Sequence, residues 1–514
     1  MKFLKPLGCL ALCIAASASA QQINPITRAM LNGYTEILKS NPKDYQTLYE
    51  RAAQYYQISQ YDNALNDLTK AIEYTPAKDK DMRLSEFSLL ADAAVETKNY
   101  ELALDAINSA LNLQPDNYAN IYKKGNILLY LNRPEEAYRV FSTLQSLKSR
   151  SQEAYFGMAK AAIMQEKFTE AEDLMKEAEK ADPTGALTYC RLGDLYLDMN
   201  QPENAATNYL VAFSLGDNSN DRALSALIRL ANTNYSAVAM ALDFAIDKSE
   251  NKIPMLYLKG MIAERSGNYS QAAQALEQLI SFPEGRSAGV YMTYAKALLA
   301  LNRLQEAQQN IGFSINSNPS EESYIIASEI ALAQNNLTEG VRYATNALSA
   351  NPQSPDAFYQ AALAQIAAGD KDGALTTLNE LVMYAPDNMP ALLLRAYVQE
   401  QLLNNGKGAV GDFNRIIMET PSDAQSVAIK GIAQAKTGKK LDADATIANG
   451  LLSDNASDKN NLYWAAVYYA QTGDLAKAEE YVEKAITAGY QDEFNLKTAD
   501  TPWMTIAPIR HLIK

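Results

Sequence analysis

Residues 186–217 read ALTYCRLGDLYLDMNQPENAATNYLVAFSLGD. In the first half, side chains that suit a packed helix face recur at positions i, i+3, i+4 and i+7, namely Tyr189, Leu192, Gly193 and Tyr196. Asn200-Gln201-Pro202 interrupts this pattern, and proline suits the first turn of a following helix because its missing N–H has no partner there. In the second half one face carries Ala205, Tyr209 and Ala212. The stretch therefore predicts a helix–turn–helix hairpin.

The hairpin pattern recurs along the chain with a period of about 34 residues. The nine residues from Asn234, NYSAVAMAL, return 34 positions later from Asn268 as NYSQAAQAL. Prolines mark the same period at intervals of 33, 34 and 35 residues, at Pro319, Pro352, Pro386 and Pro421. A fixed period in this range is typical of stacked repeats, so we expect one array and not a set of separate globular domains.

These hairpins resemble the tetratricopeptide repeat, whose pattern runs through the seven residues named between Tyr189 and Ala212. Thirteen hairpins follow in phase over roughly residues 44–490. The resemblance implies an all-α fold, a right-handed superhelical solenoid of about 13 helix-turn-helix repeats with N- and C-terminal caps.

The predicted organisation of the chain has six parts. The repeat at 219–252 has lost most of its first-helix pattern, and the tail leaves the period while carrying the apolar residues Phe494, Trp503 and Ile509, which suit a cap. One extra residue falls in the turn of the eleventh repeat, at 404–408. The parts are a signal peptide (1–20), an N-terminal capping helix (21–43), a first array (44–218), a degenerate repeat or bend (219–252), a second array (253–490) and a C-terminal cap (491–514).

The first twenty residues have the features of a secretory signal. Lys2 and Lys5 precede the apolar run 7–16, and the small residues 18–20 form a cleavage site. The run is shorter than the ~20 residues that a membrane-spanning helix needs. We therefore expect export to the periplasm or cell envelope of a Gram-negative bacterium, with no transmembrane segment. Lipid attachment at Cys13 in place of cleavage at Ala20 stays open as an alternative.

The composition narrows the range of functions. The chain has 46 Lys and Arg against 60 Asp and Glu, a net charge of −14, which disfavours nucleic acid and anionic membrane surfaces as partners. Its only histidine is His511 in the tail, and Cys190 is the only cysteine beyond the signal. A catalytic triad or a histidine-rich metal site lacks its residues, so the sequence predicts no enzyme, no catalytic residues, no metal site and no cofactor.

The tetratricopeptide resemblance also implies a binding surface. In that family the first helices line the concave side, and the residue after the signature aromatic points into the groove. Six of these thirteen positions are aromatic and are the predicted partner-binding residues: Tyr49, Tyr122, Phe156, Tyr257, Tyr359 and Tyr463. The other seven are Ser88, Cys190, Ala223, Met292, Ile325, Leu393 and Ala428. The row has no Lys or Arg, so an acidic groove lined with Tyr suits apolar, aromatic or basic partner segments better than an acidic one.

Three functional hypotheses follow. The leading one is a non-catalytic, protein- or peptide-binding scaffold of the cell envelope. The alternative is a carrier of glycan or another small ligand that stacks on the same aromatic groove. A glycosidase that uses two carboxylates is the least supported, because a solenoid implies no deep pocket. The sequence specifies neither the identity of the partner nor an oligomeric state.

Overall fold

The computed structural model describes residues 24–147, 151–216, 221–453 and 457–492. The signal peptide and the cap residues Phe494, Trp503, Ile509 and His511 lie outside the described residues. Within them the regular structure is helical throughout. The helices of the first half are α1 (Pro25–Ser40), α2 (Tyr45–Gln57), α3 (Tyr61–Tyr74), α4 (Lys80–Glu96), α5 (Tyr100–Leu113), α6 (Tyr118–Tyr130), α7 (Pro134–Leu147), α8 (Gln152–Met164), α9 (Phe168–Ala181), α10 (Ala186–Asp198), α11 (Pro202–Leu215) and α12 (Asp221–Lys248).

The helices of the second half continue the same alternation. They are α13 (Ile253–Arg265), α14 (Tyr269–Ser281), α15 (Ala288–Ala300), α16 (Leu304–Ser317), α17 (Glu321–Ala333), α18 (Leu337–Ala350), α19 (Pro355–Ala367), α20 (Lys371–Tyr384), α21 (Met389–Tyr397), α22 (Gly406–Met418), α23 (Ala424–Lys436), α24 (Lys440–Gly450), α25 (Lys459–Thr472) and α26 (Leu475–Thr487). From α2 onward the helices pack in consecutive antiparallel pairs, and α12 forms a pair by itself. The all-α fold of helix–turn–helix repeats is confirmed for the described residues.

The lone helix α1 covers the start of the array. Leu38 packs in one buried cluster with Leu48 and Ala71 of the first hairpin. The hydroxyl of Thr35 accepts a hydrogen bond from Arg51 Nη1 at 3.2 Å, which ties the same helix to α2. This is the arrangement expected of an N-terminal capping helix, because the first hairpin would otherwise leave an apolar face in water.

The turns between the paired helices use one residue in the left-handed conformation in all hairpins but one. Twelve of the thirteen hairpins have such a residue, and the asparagines and glycines among them tolerate positive φ best. In chain order these residues are Ser59, Lys98, Asn132, Glu166, Asn200, Gly267, Asn302, Asn335, Gly369, Asn404, Gly438 and Gly473. The turns thus repeat with the period that the sequence predicts.

The sixth hairpin is the exception. Thr233 stands where the next repeat has Gly267, and a β-branched residue is strongly disfavoured at positive φ. The two helical halves of α12 are instead joined through Asn234, at φ −147° and ψ 73°. The chain divides into two compact units between Leu230 and Ala231, inside this hairpin. We call them the N-terminal and C-terminal units and describe each by itself.

The repeat interior depends on close contact between an aromatic ring and a glycine. A Cβ added to Gly193 would lie 2.4 Å from Cε1 of Tyr209 on the paired helix, so only glycine fits. Phe141 meets two such glycines, since added Cβ atoms at Gly125 and Gly157 would each lie 2.4 Å from its ring. Gly125 belongs to the same hairpin as Phe141 and Gly157 to the next one, so one ring joins two repeats.

The extra residue of the eleventh repeat lies elsewhere than predicted. The turn there has the same form as in other hairpins, with Asn404 at positive φ and Asn405 capping α22. The additional residue is taken up before the turn, where α21 continues as a π turn over Val398–Leu402. A π turn accommodates one inserted residue within a helix at the cost of local strain, which leaves the register of the turn intact.

Replacing Gly193 by Ala tests the contact between glycine and ring. We expect Gly193→Ala to lower the free energy of unfolding by about 1–3 kcal/mol, because the Tyr209 ring must move to admit the methyl group. Gly33→Ala is the control in the same unit, since an added Cβ there meets no atom within 4 Å and alanine favours the helix. Urea unfolding followed by circular dichroism gives both values; equal midpoints would contradict the prediction.

The irregular sixth hairpin should open more readily than its neighbours. We expect backbone amides around Asn234 to exchange with deuterium at least tenfold faster than those around Asn200, because the turn lacks the left-handed residue that fixes other hairpins. Hydrogen exchange with peptide-level mass spectrometry measures both segments in one sample. Equal protection would show that the joint is as stable as a regular hairpin.

Candidate partner-binding surface

The six predicted partner-binding residues form two sets of three. Each lies on the first helix of a hairpin, directly after the signature position. Tyr49, Tyr122 and Phe156 lie on α2, α6 and α8 of the N-terminal unit, and Tyr257, Tyr359 and Tyr463 lie on α13, α19 and α25 of the C-terminal unit.

In the N-terminal unit these rings mainly contribute to packing. Tyr49 and Tyr122 are partly buried beside the apolar core, and the Tyr122 ring meets Phe141 edge-on with 6.0 Å between centroids. Phe156 is buried, and the guanidinium of Arg191 lies 5.4 Å above its ring. A partner could reach this set only in part.

In the C-terminal unit the three rings differ in accessibility. The side chain of Tyr257 is the most accessible, with 39% exposure. Tyr359 is partly buried, and burial holds its pKa well above the ordinary tyrosine value. Tyr463 is 4% exposed because it stacks on Tyr490 with 4.5 Å between ring centroids. Tyr257 is therefore the ring of this set that is most open to a partner, Tyr359 is accessible only in part, and Tyr463 is buried.

The seven non-aromatic positions of the row are also mixed. Ser88 Oγ donates a hydrogen bond to Asn120 Oδ1 of the next repeat at 2.6 Å. Met292 and Ile325 are partly buried, and four residues are buried among neighbouring helices: Cys190, Ala223, Leu393 and Ala428. The same position of the repeat is therefore buried in some repeats and exposed to solvent in others.

The sequence analysis missed two charged residues one helical turn further along the first helices. Lys296 lies on α15 and Glu329 on α17, four residues after Met292 and Ile325. The available signal was a single charge inside an apolar helix, Lys296 between two alanines and Glu329 before Ile330. Residues four apart share a helix face, so these charges belong to the same surface as the predicted row.

Lys296 already has a partner. Its Nζ lies 2.8 Å from a carboxylate oxygen of Glu264 on α13, with the two side chains 48% and 11% exposed. Burial lowers the pKa of Lys296, but the ion pair with Glu264 outweighs it and the net pKa is raised. The ammonium is therefore charged at neutral pH, and its ion pair is with a residue of the neighbouring repeat.

Glu329 is different, because no described residue donates a hydrogen bond to its carboxylate. The side chain is only partly buried, yet desolvation raises its pKa to about 7. Lys296 lowers that pKa, while Asp492 and Asp356 raise it. A carboxyl group that touches water and is still strongly desolvated lies in a recess surrounded by protein.

Several elements of the C-terminal unit contribute to this recess. Asp356 on α19 has its own pKa raised, first by burial and then by Glu321. Asp492, just beyond α26, also raises the pKa values of Tyr269 on α14 and Tyr463 on α25. Acidic groups from several hairpins of the unit therefore act electrostatically on Glu329. We call the region around the Glu264–Lys296 ion pair and Glu329 the Glu329 recess.

The described residues offer little to a metal ion or a membrane. Among them no group of three or more His, Cys, Asp or Glu side chains is placed to bind a metal. The helices from α1 to α26 include none with the length and apolar character needed to cross a bilayer.

The paired helices, the turns with one left-handed residue and the contacts between glycine and aromatic rings define a helical-repeat protein with open first-helix surfaces. The chain belongs to the tetratricopeptide repeat family. Sequence models of the tetratricopeptide repeat match residues 331–396, residues 122–186, and the three segments 186–215, 253–284 and 460–488. The matches fall in both units.

Comparison with individual proteins gives distant similarities. The human protein O-mannosyl-transferase TMTC3 is 23% identical over 328 residues, which cover 60% of this chain and 32% of that protein. The chain thus spans about a third of that relative. Among solved structures, YrrB, a TPR protein with an unusual peptide-binding site, is 20% identical with a TM-score of 0.28, covering 38% of this chain and 98% of its own. Yeast Tom70 is 14% identical with a TM-score of 0.35, covering 81% and 98%.

The raised pKa of Glu329 predicts a pH-dependent cost in stability. The native state holds a proton up to about pH 7, whereas an unfolded glutamate loses it near 4.5, so the stabilisation is full below pH 4.5 and is lost as pH rises to 7. Glu329→Gln should raise the unfolding midpoint at pH 8 by about 2–4 °C, the shift that 1 kcal/mol gives in a unit of this size, with little effect at pH 4.5.

The matched control is Glu277→Gln, which removes the same charge from an exposed site on α14. Its midpoint should change equally little at both pH values. Differential scanning calorimetry of the full chain at pH 4.5 and pH 8 provides the comparison. A midpoint that Glu329→Gln leaves unchanged at pH 8 would mean that the carboxylate is well solvated.

Proposed function

We propose that this chain is a non-catalytic scaffold that binds segments of protein partners on the first-helix surfaces of its repeats. The observation that carries the proposal is that Tyr257, Lys296 and Glu329 lie on successive first helices, α13, α15 and α17, and that each is at least partly exposed. A tyrosine gives a partner a large contact area at a low cost in side-chain entropy.

The recess also indicates the chemistry of the partner. It contains the carboxylates of Glu264 and Glu329 and the ammonium of Lys296, which is paired with Glu264. Desolvated charges are stabilised by a counter-ion, and here one can come from outside. A partner segment with Lys or Arg flanked by apolar residues fits this surface, whereas an acidic segment would be repelled.

The absence of enzymatic activity is part of the proposal. The match to the human transferase covers 32% of that protein, and its activity is not carried over to this chain. The partly exposed carboxyl groups of the recess belong to different repeats and surround an ion pair, an arrangement that suits binding.

We further propose that the scaffold works outside the cytoplasm. The support is the sequence of residues 1–20, with its positive start, short apolar run and small-residue cleavage site. The compartment would be the periplasm or cell envelope of a Gram-negative bacterium, and its partners would be exported proteins.

The glycan-carrier alternative uses the same rings, because an exposed tyrosine such as Tyr257 can stack on a sugar. Thermal unfolding in the presence of oligosaccharides, and separately of lysine-containing apolar peptides, distinguishes the two. Only a ligand that binds the native state raises the midpoint with concentration. A rise with oligosaccharides alone would favour the carrier.

Partner capture tests the scaffold directly. We expect full-length protein, immobilised and incubated with extract from its native envelope, to retain specific proteins, and Tyr257→Ala and Glu329→Gln each to reduce that retention at least tenfold. The physical reason is the loss of an aromatic contact in one variant and of the counter-ion in the other. Quantitative mass spectrometry measures the retained proteins.

The controls make the same chemical changes on second helices. Tyr384→Ala removes an exposed ring from α20, and Glu277→Gln removes an exposed carboxylate from α14. Retention should be unchanged in both. If all four variants behaved alike, binding would not involve the first-helix surface and the proposal would fail.

A further inference from the structure

Two polar contacts join the first and last hairpins of the C-terminal unit. Nζ of Lys459, at the start of α25, donates hydrogen bonds to the carbonyl oxygens of Ser266 at 2.8 Å and Gly267 at 3.4 Å. Oε1 of Gln491, beyond α26, accepts a hydrogen bond from the backbone N–H of Ser270 at 3.2 Å. The residues joined are about two hundred positions apart in the sequence.

Both contacts provide hydrogen-bond partners for backbone groups at helix ends. Ser266 and Gly267 follow the last residue of α13, where carbonyl groups have no partner within the helix, and Ser270 is the second residue of α14, where the N–H groups likewise have none. A cation near a helix C-terminus is also favoured by the helix dipole. The last hairpin therefore supplies caps to both helix ends at the turn of the first hairpin.

The Lys459 ammonium is held mainly by these carbonyl groups. Burial lowers its pKa, and the neighbouring Asp458 offsets this in part. An added Cβ at Gly267 would lie 3.5 Å from Nζ, so the lysine packs closely over the turn. Gly267 has a positive φ, and its carbonyl oxygen and that of Ser266 both accept from the same ammonium.

We propose that Lys459 and Gln491 form a clasp that holds the C-terminal unit closed and restricts access to the Glu329 recess. The role of the recess rests on the proposed function, but closure itself does not. Glu264, which forms the ion pair with Lys296 in the recess, lies two residues before the clasped Ser266, which places the clasp beside the recess.

The clasp is suited to opening. Its bonds join side chains to backbone groups that water can bond equally well, so their net contribution to stability is small compared with that of a packed hairpin. Repeat arrays flex because each repeat contacts mainly its neighbours, and a long-range contact limits that flexing only while it is made. Opening therefore needs no unfolding of a repeat.

Distances between the two ends test closure. Spin labels are attached at Gln274→Cys on α14 and Glu480→Cys on α26, both exposed, in a full chain whose native cysteines are replaced by Ala. Electron double resonance should give one narrow, short distance distribution. Lys459→Met, which keeps the side-chain stem but removes the donor, should shift it to longer and broader distances.

Access to the recess is measured by thiol labelling. A cysteine at Met292, one helical turn from Lys296, should react with a soluble disulfide reagent at least tenfold faster in the Lys459→Met chain than in its parent. Gln491→Ala should act in the same direction. The control is Lys430→Met, since Lys430 Nζ donates to the Glu419 carbonyl at 2.8 Å but within neighbouring hairpins.

The outcomes are distinct. A broad distance distribution in the parent chain, or equal labelling rates in the Lys459→Met and Lys430→Met chains with unchanged circular dichroism, would overturn the clasp. Longer distances and faster labelling confined to Lys459→Met and Gln491→Ala support it. Neither readout involves a partner, so failure of partner capture would refute the proposed function and leave the clasp standing, and the reverse also holds.

Discussion

The fold depends on the close approach of an aromatic ring to a glycine on a facing helix. Where Tyr209 covers Gly193, the helices of one hairpin come close enough to exclude water, and where Phe141 covers both Gly125 and Gly157, consecutive hairpins do the same. This contact lies between the helices and does not use the outer side of the first helices, which is accessible in some repeats, as at Tyr257, and packed in others, as at Cys190. A binding surface is thus a consequence of how the repeats pack.

Most of the fold follows from periodicity, because these contacts are local. Asn200 and Gly267 take the left-handed conformation at the place that the repeat period gives them, and a short-range pattern is enough to predict both. The irregular turn at Thr233 can also be explained from the sequence, because a β-branched residue disfavours the left-handed conformation. The π turn after Tyr397 could not be predicted from the sequence. An inserted residue can be accommodated in a turn or within a helix, and only the packing on both sides decides between them.

The candidate site was less predictable. Phe156 and Tyr257 occupy the same position of the repeat, but Arg191 covers the Phe156 ring whereas Tyr257 is 39% exposed. The exposure of a ring therefore depends on its neighbours in space and not on its position in the repeat alone. Desolvation raises the pKa of Glu329, and the charge of Asp492, from the other end of the unit, adds to the effect. A 34-residue period does not predict interactions between distant repeats. Resemblance to a family predicts which positions face the groove but not how well water solvates each side chain there.

The excess of tyrosine and the acidic charge of the chain are physically linked. At several joints a tyrosine hydroxyl donates to a carboxylate, as Tyr138 does to Glu170 at 2.7 Å and Tyr209 to Asp194 at 2.8 Å. Burial and then the bond to Glu170 raise the pKa of Tyr138 to about 12, so it remains a donor at neutral pH. In a chain with 60 acidic and 46 basic residues, such hydroxyl groups add a donor to carboxylates, and Asp194 accepts one beside its ion pair with Arg222. Tyrosines at joints are explained by the repeat, whereas Tyr257, which is 39% exposed at a predicted partner-binding position, is a tyrosine that a partner would explain.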